Sequence, residues 1–375
     1  MPVVGNVATY AFDVTSISGP EAVLSPPSLA FGGQSMGTTA PPQTITVTNI
    51  GSGTLTISSI SASAQFGQTN DCSTLTEGQH CTVTVTFTPS PGAGPLNSTT
   101  NVNGTLSVVS DGAGSPTTAT LQGTGEKSLV THYYRSILGR SPDAGGKSFW
   151  EGEAVRMESL TANVNETWFA MATFFYFSPE YVSLGRSNAG FVTDLYNTFF
   201  NRPPDAGGLA FWTDQLTSGM PREVVLVSFM FSPEFASFTQ GIFGNTAARA
   251  EVDVVMDFYR GLVARLPDGG GFNHWVGQFR TAQCQGAGEV YAQVHAISST
   301  FVNGGEYAAR NRTNAQFVGD MYNAFLRRGG DAGGVNFWIN QLNSGMSREE
   351  VRQAFVSTPE FTNRVNAIVS QGCFS

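Results

Sequence analysis

Tyr134, Tyr196, Tyr259 and Tyr322 stand 62, 63 and 63 residues apart, and three further residue types keep the same spacing. Arg140, Arg202, Arg265 and Arg328 form the second series, Asp143, Asp205, Asp268 and Asp331 the third, and Trp150, Trp212, Trp275 and Trp338 the fourth. The shared pattern is Tyr-x5-Arg-x-Pro-Asp-x-Gly-Gly-x3-Trp, with Gly330 in place of Pro in the last copy and His274 in place of the Phe before Trp in the third. A fixed period of this length means one supersecondary unit repeated four times. Before each Tyr, apolar residues recur at helical spacing: Leu129, Tyr133 and Ile137, then Phe191, Leu195 and Phe199, Val254, Phe258 and Leu262, and Phe317, Met321 and Phe325. Each unit therefore opens on an amphipathic helix. The Asp is placed to cap the next helix by accepting the N–H groups of the two Gly residues, with the Trp turned inward. Ser178-Pro179-Glu180, Ser232-Pro233-Glu234 and Thr358-Pro359-Glu360 start a later helix, with a hydroxyl at the N-cap and Pro at N1. The third copy reads as degenerated to Ser298-Ser299-Thr300-Phe301.

The first 126 of the 375 residues are chemically different. They hold no Lys or Arg, and their six carboxylates leave −3 of the net −9 for the remainder. A border near residues 125–127 follows. Upstream of it the chain alternates with period two at Thr44-Ile45-Thr46-Val47-Thr48, Thr54-Leu55-Thr56-Ile57, Thr82-Val83-Thr84-Val85-Thr86-Phe87 and Thr105-Leu106-Ser107-Val108. These are half-buried strands with a hydroxyl-rich outer face, as in an antiparallel immunoglobulin-like sandwich. The fold class expected is multidomain: an all-β sandwich, then an all-α array of four helical repeat units. Its parts are residues 1–19 (an extra strand), 20–126 (sandwich), and units at 127–188, 189–249, 250–314 and 315–375.

Two family resemblances are carried by particular residues. Leu29-Ala30-Phe31-Gly32, Val47-Thr48-Asn49-Ile50-Gly51, Cys81-Thr82-Val83-Thr84-Val85-Thr86-Phe87-Thr88-Pro89 and Leu121-Gln122-Gly123-Thr124-Gly125 resemble, in order, the bacterial choice-of-anchor D domain, a relative of the ASH domain. That resemblance implies a binding or spacer sandwich on a secreted bacterial protein, with Cys72 and Cys81 bridging a loop to a strand. Leu195-Tyr196-Asn197-Thr198-Phe199-Phe200-Asn201-Arg202-Pro203-Pro204-Asp205 and Ser218-Gly219-Met220-Pro221-Arg222-Glu223-Val224 resemble domain of unknown function 4214, which is similar to the phycobilisome-linker helical domain. It implies a place in large secreted, surface-layer or adhesin-like proteins and carries no enzymatic chemistry.

Cys72, Cys81, Cys284 and Cys373 are even in number, one close pair and one distant pair, and fit two disulfides better than a metal site. The local pair follows from proximity, which leaves Cys284 with Cys373. His80 beside Cys81 lacks converging ligands for zinc. The N-terminus lacks the basic and unbroken apolar regions of a signal peptide. Asp143, Asp205, Asp268 and Asp331 are calcium candidates, yet each loop offers a single carboxylate, and capping is the favoured reading. The repeated Arg either pairs with the carboxylate of its own Ser-Pro-Glu or forks onto the end of the preceding helix; both choices are structural. Aromatic rings stack on sugar faces, but here most keep helical register, leaving Trp168 and His274 as the rings expected outside the core.

The acidic charge and low Lys and Arg content oppose nucleic-acid binding. No Gly-x-Ser-x-Gly, phosphate-cradling Gly loop or HExxH occurs, so no catalytic residue is assigned and no cofactor is expected beyond calcium as a minor alternative. Asn97, Asn103, Asn165 and Asn311 begin Asn-x-Ser/Thr triplets, too common to decide anything. Near the start, Tyr10, Phe12 and Val14 alternate with Thr9, Ala11, Asp13 and Thr15 as an assembly strand that pairs with its own sandwich or adds to a neighbour. The expectation is a non-enzymatic extracellular or cell-surface bacterial protein of structural or adhesive role, with no membrane span. Its partners would be other surface proteins, copies of itself or glycans, and the alternative is a secreted carbohydrate-binding module.

Overall fold

The structure is a computed structural model that describes residues 19–374. The expected strand carrying Tyr10, Phe12 and Val14 lies outside the described residues. The chain divides into two compact units: one gathers the residues up to Gln34, Thr39–Ser90 and Thr100–Gly125, and the other Ser35–Thr38, Pro91–Thr99 and Glu126–Ser375.

Among the described residues the first unit is a sandwich of nine strands: β1 (Ala22–Ser25), β2 (Ser28–Ser35), β3 (Gln43–Asn49), β4 (Leu55–Ala62), β5 (Phe66–Asn70), β6 (Thr74–Leu75), β7 (His80–Phe87), β8 (Thr99–Ser110) and β9 (Thr117–Glu126). One sheet has the order β1-β3-β7-β5 and the other β2-β9-β8-β4-β6. Alternation decides which side chains enter the core. In β3 and β7, Ile45, Val47, Val83, Val85 and Phe87 are fully buried, while the intervening Thr residues keep their hydroxyls outward. Register is antiparallel, with Ile45 opposite Val83 and Val47 opposite Cys81. Phe31, Phe66 and Phe87 fill one part of this core, the last two stacked with centroids 5.0 Å apart. Cys72, in the loop after β5, is bonded to Cys81 on β7.

The second unit holds four copies of a four-helix pattern. The first copy is α1 (Val130–Leu138), α2 (Ala144–Ser159), α3 (Asn165–Tyr176) and α4 (Pro179–Ser183), and the second is α5 (Asn188–Phe200), α6 (Ala206–Thr217), α7 (Arg222–Met230) and α8 (Pro233–Phe243). The third is α9 (Ala250–Val263), α10 (Gly269–Gln285), α11 (Ala287–Val302) and α12 (Gly305–Ala309). The fourth is α13 (Asn314–Met321), continued by a π-helical turn at Tyr322–Leu326, then α14 (Ala332–Asn343), α15 (Arg348–Val356) and α16 (Pro359–Ser370). Asn188 and Asn314, read from sequence as the ends of copies one and three, instead open α5 and α13. Cys284 on α10 is bonded to Cys373 in the tail.

The copies are not equivalent; they alternate. Tyr181 and Tyr307, 126 residues apart in copies one and three, donate their hydroxyls to Asp194 (2.8 Å) and Asp320 (2.9 Å) in copies two and four. Arg186 and Arg312 pair with the same two carboxylates at 2.9 Å. Their backbone carbonyls in turn accept from Arg222 and Arg348. The true period is thus a pair of copies, each odd copy bonded to the even copy that follows it.

At the centre of the array lies a buried ionic cluster. Asp257 accepts from Arg260, Arg327 (2.7 Å) and Arg364, and Glu166 accepts from Arg260 and Arg327 (2.9 Å). Arg260 is also bonded to Asn323 Oδ1 at 3.0 Å and lies over the Phe231 ring at 4.8 Å. With Asp253 facing Arg327 at 3.3 Å, three guanidiniums meet three carboxylates. Glu166, Phe231, Asp257 with Arg260, and Arg327 with Arg364 come from copies one to four respectively, so the cluster ties all four together. At the position of Asp257, copy one has His132, whose buried ring nitrogen bonds the Thr198 carbonyl at 2.8 Å.

Most copies end α2 or its counterpart on a left-handed glycine, as at Gly219 (φ 94) and Gly345 (φ 105). Copy one puts Thr161 there at φ 56. A β-branched residue in this region is strained, because its Cβ crowds the backbone. Thr161→Gly is expected to raise stability by about 1 kcal/mol, the relief of left-handed strain less the extra chain entropy of Gly, measured as a shift in urea midpoint.

Candidate functional site

The repeated residues assemble into one cassette in every copy. The Asp caps α2, α6, α10 or α14, its Oδ1 accepting from the second Gly of the Gly-Gly pair at 2.8 Å. The N–H of the first Gly acts on the same carboxylate more weakly in the first three copies. The bond from the second Gly holds Asp143, Asp205 and Asp268 below the ordinary carboxylate value. The Arg grips a Glu with two parallel bonds: Arg140 with Glu180 (2.6 and 2.9 Å), Arg202 with Glu234 (2.7 and 3.0 Å), Arg265 with Glu306 (2.6 and 3.0 Å) and Arg328 with Glu360 (3.0 and 3.0 Å). Each guanidinium also covers the ring of the repeated Tyr, at 4.8, 5.1, 5.0 and 5.5 Å.

The third copy has kept its Glu after all. Gly304-Gly305-Glu306 stands where Ser-Pro-Glu was sought, and the helix begins without the hydroxyl cap while the carboxylate persists. Of the two readings for the Arg, the pair with Glu holds in all four copies. Arg140, Arg265 and Arg328 also donate to the carbonyl of the next residue, which lies in the loop beyond the helix and not at its end.

The two glycines of the motif differ in purpose. A Cβ on Gly146, Gly208 or Gly271 would stand 2.0, 2.1 and 2.1 Å from the hydroxyl of its own repeated Tyr, against 2.9 Å at Gly334. Gly208→Ala should therefore cost about 1–3 kcal/mol through forced displacement of Tyr196, and Gly334→Ala less, as read by thermal unfolding of the two variants.

As calcium ligands three of the four Asp residues are poorly placed. Asp143 and Asp268 have an Arg Nη1 at 3.7 Å and Asp205 one at 3.8 Å, so a cation there would face a guanidinium. Among the described residues, three possible ligands converge only at Asp71, Cys72 and Cys81, and the two sulfurs are bonded to each other. The Trp series is less inward than its register implies: Trp150 is buried, but Trp212, Trp275 and Trp338 are half-buried. Trp168, expected outside the core, is fully buried and stacks on Phe243, whereas His274 is exposed.

Two of the rings that reach solvent frame the candidate site. Phe149 on α2 is 59% exposed and Phe174 on α3 58%. They flank Trp150, with centroids at 5.2 and 6.0 Å. Together with Ala170 and the α9–α10 loop residues Ala264, Arg265 and Leu266, they line an apolar groove of ≈ 690 Å³. Two charged groups stand at its rim, Glu153 and Arg265, each engaged elsewhere. Glu153 accepts from Arg156 Nε at 2.9 Å, and Arg265 is held by Glu306. The sequence signal for this groove was Phe174 itself, since copies two, three and four have Ser228, Thr300 and Ala354 at that position.

Residues 172–238 and 296–365 match the family described as domain of unknown function (DUF4214), and residues 23–124 match the HYDIN/CFA65/VesB-like, Ig-like domain. The chain joins an Ig-like domain to DUF4214 repeats. Each DUF4214 match begins within α3 or α11 and ends within α8 or α16, so each covers the latter part of an odd copy and most of the even one.

Among solved structures, the chain is similar to a protein of unknown function from Porphyromonas gingivalis, at 16% identity over 30% of this chain and 50% of that one, with a TM-score of 0.23. The Vibrio cholerae VesB protease gives 18% identity, 28% and 31% coverage and a TM-score of 0.21. The ASH / PapD-like domain 7 of human CEP192 gives 14%, 33% and 96%, with 0.23. The chain spans half the length of the first of these. No curated protein matches it.

Proposed function

We propose that this protein is a non-enzymatic structural or adhesive component of a bacterial cell surface or extracellular matrix, with other surface proteins or further copies of itself as partners. The observation that carries this reading is the cassette. In all four copies the repeated Arg is consumed in holding helix to helix and the Asp in capping a helix, with the Tyr ring packed beneath the guanidinium, so what repeats is a fastening. The Ig-like domain adds a second rigid body, in keeping with a surface or structural role. Two disulfides are compatible with secretion, and no helix among the described residues is long and apolar enough to cross a membrane.

The test is protease shaving of intact cells of the source bacterium, followed by non-reducing peptide mapping of the released fragments. The reading expects fragments carrying Cys72–Cys81 and Cys284–Cys373 intact. Protection from external protease, with four free thiols in the lysate, would overturn it.

A further inference from the structure

The groove on the first helical copy has a counterpart within the same molecule, and the comparison shows what is unusual about it. Between copies two and four, Ser228 occupies the position of Phe174, and Gly329 that of Leu266. There the loop lies directly on α7: a Cβ on Gly329 would be 1.7 Å from the Ser228 hydroxyl oxygen. Small residues close that seam. Between copies one and three both positions carry large apolar side chains, yet the seam is open and Phe174 is more than half exposed. Phe149 and Phe174 are each more than half exposed and lie on one apolar groove, and a contiguous exposed apolar patch marks a contact site. Phe211 and Phe337 repeat the exposed ring of Phe149, but only copy one adds a second exposed ring across the Trp.

We propose that this groove binds a neutral oligosaccharide, with sugar rings seated against Phe149, Trp150 and Phe174. The chemistry of the lining selects the ligand. Aromatic faces suit the C–H faces of a pyranose, and the groove's volume falls in the range of small-ligand sites. The charges at the rim are already neutralised, Glu153 by Arg156 and Arg265 by Glu306, so neither an anionic nor a cationic ligand finds an unpaired counter-charge. A paired carboxylate still has lone pairs to accept sugar hydroxyls, which suits an uncharged ligand with a polar edge. Trp168, the ring first suspected of this task, is excluded by its complete burial. The inference goes beyond the structural role and stands on different residues, so either can fail alone.

The experiment titrates the full chain with cellohexaose, laminarihexaose, maltohexaose and chitohexaose, and with a hexagalacturonate as the charged control, following Trp fluorescence and calorimetry. Saturable binding of at least one neutral hexasaccharide is expected, with the charged control silent. Phe174→Ser, which installs the residue of copy two, should weaken binding at least about tenfold, as should Phe149→Ala, while Phe337→Ala in copy four leaves it unchanged. Circular dichroism of each variant establishes that it is folded. No saturable binding of any neutral hexasaccharide would overturn the proposal, as would binding unaffected by Phe174→Ser. Concentration-dependent self-association abolished by Phe174→Ser would also overturn it, by assigning the groove to a second copy of the chain.

Discussion

Asp257→Ala is expected to remove about 3–5 kcal/mol from the stability of the helical unit, the largest effect of any single substitution here. The carboxylate is fully buried and faces Arg260, Arg327 and Arg364. Taking it away leaves three guanidiniums against Glu166 and the half-buried Asp253, and a buried unpaired cation costs far more than the pair contributes. The loss spreads because the cluster joins all four copies. Urea unfolding followed by circular dichroism should show an earlier helical transition; a change below about 1 kcal/mol would mean that the cluster relaxes or admits water.

Acid should act on the same cluster. Burial alone would raise the Asp257 pKa, but Arg327, Arg364 and Arg260 overcome it and hold the group at about 2. A carboxyl depressed in the folded state stabilises the fold above its unfolded pKa, and that stability is lost as pH falls from about 4 toward 2. His132 adds an earlier arm. Burial lowers it to about 4 from 6.5, so its neutral form supports the fold above pH 6.5, and that support declines as pH falls to about 4. Stability against pH should therefore fall in two stages, the first removed by His132→Gln and the second reduced but not abolished by Asp257→Asn, because Arg352 likewise holds Glu349 at about 2.

Replacing Cys284 and Cys373 together by Ser should cost about 4 kcal/mol, since the bond closes a loop 89 residues long in the unfolded chain. Cys72–Cys81, with a separation of 9, should contribute about 2–3 kcal/mol. The two losses belong to different compact units, so calorimetry should shift one transition at a time. Equal shifts in both transitions from either pair would refute that assignment.

Periodicity made most of this architecture legible before any coordinates. Alternation at Thr82 to Phe87 and the helical spacing of Phe191, Leu195 and Phe199 each follow a geometric period that one kind of element satisfies, and the recurrent Tyr-Arg-Asp-Trp frame counts the copies. Glu306 is hidden in the sequence because the third copy lacks the Ser-Pro cap that marks the Glu elsewhere, and the cap and the carboxylate have separate jobs: one starts a helix, the other holds Arg265. The cluster at Asp257 was missed for a different reason. Its members are spread from Glu166 to Arg364, and nothing local marks charges that will meet only when four copies pack. Trp168 was misjudged because helical register fixes direction along one helix but not what lies opposite it, here Phe243. The groove depended on a departure from the repeat, Phe174, which a search for agreement between copies passes over.

The alternation of copies also carries a genealogy. Tyr181 with Asp194 and Tyr307 with Asp320 are the same bond made twice, whereas Asp257, at the same position in copy three, faces three arginines instead of a Tyr. Such a pattern arises when one ancestral segment doubles, its daughters diverge into complementary partners, and the couple is then duplicated whole. Descendants of this lineage should gain or lose helical segments in twos, because an odd number strands an Asp without its Tyr or a Tyr without its Asp. The heritable module is the couple.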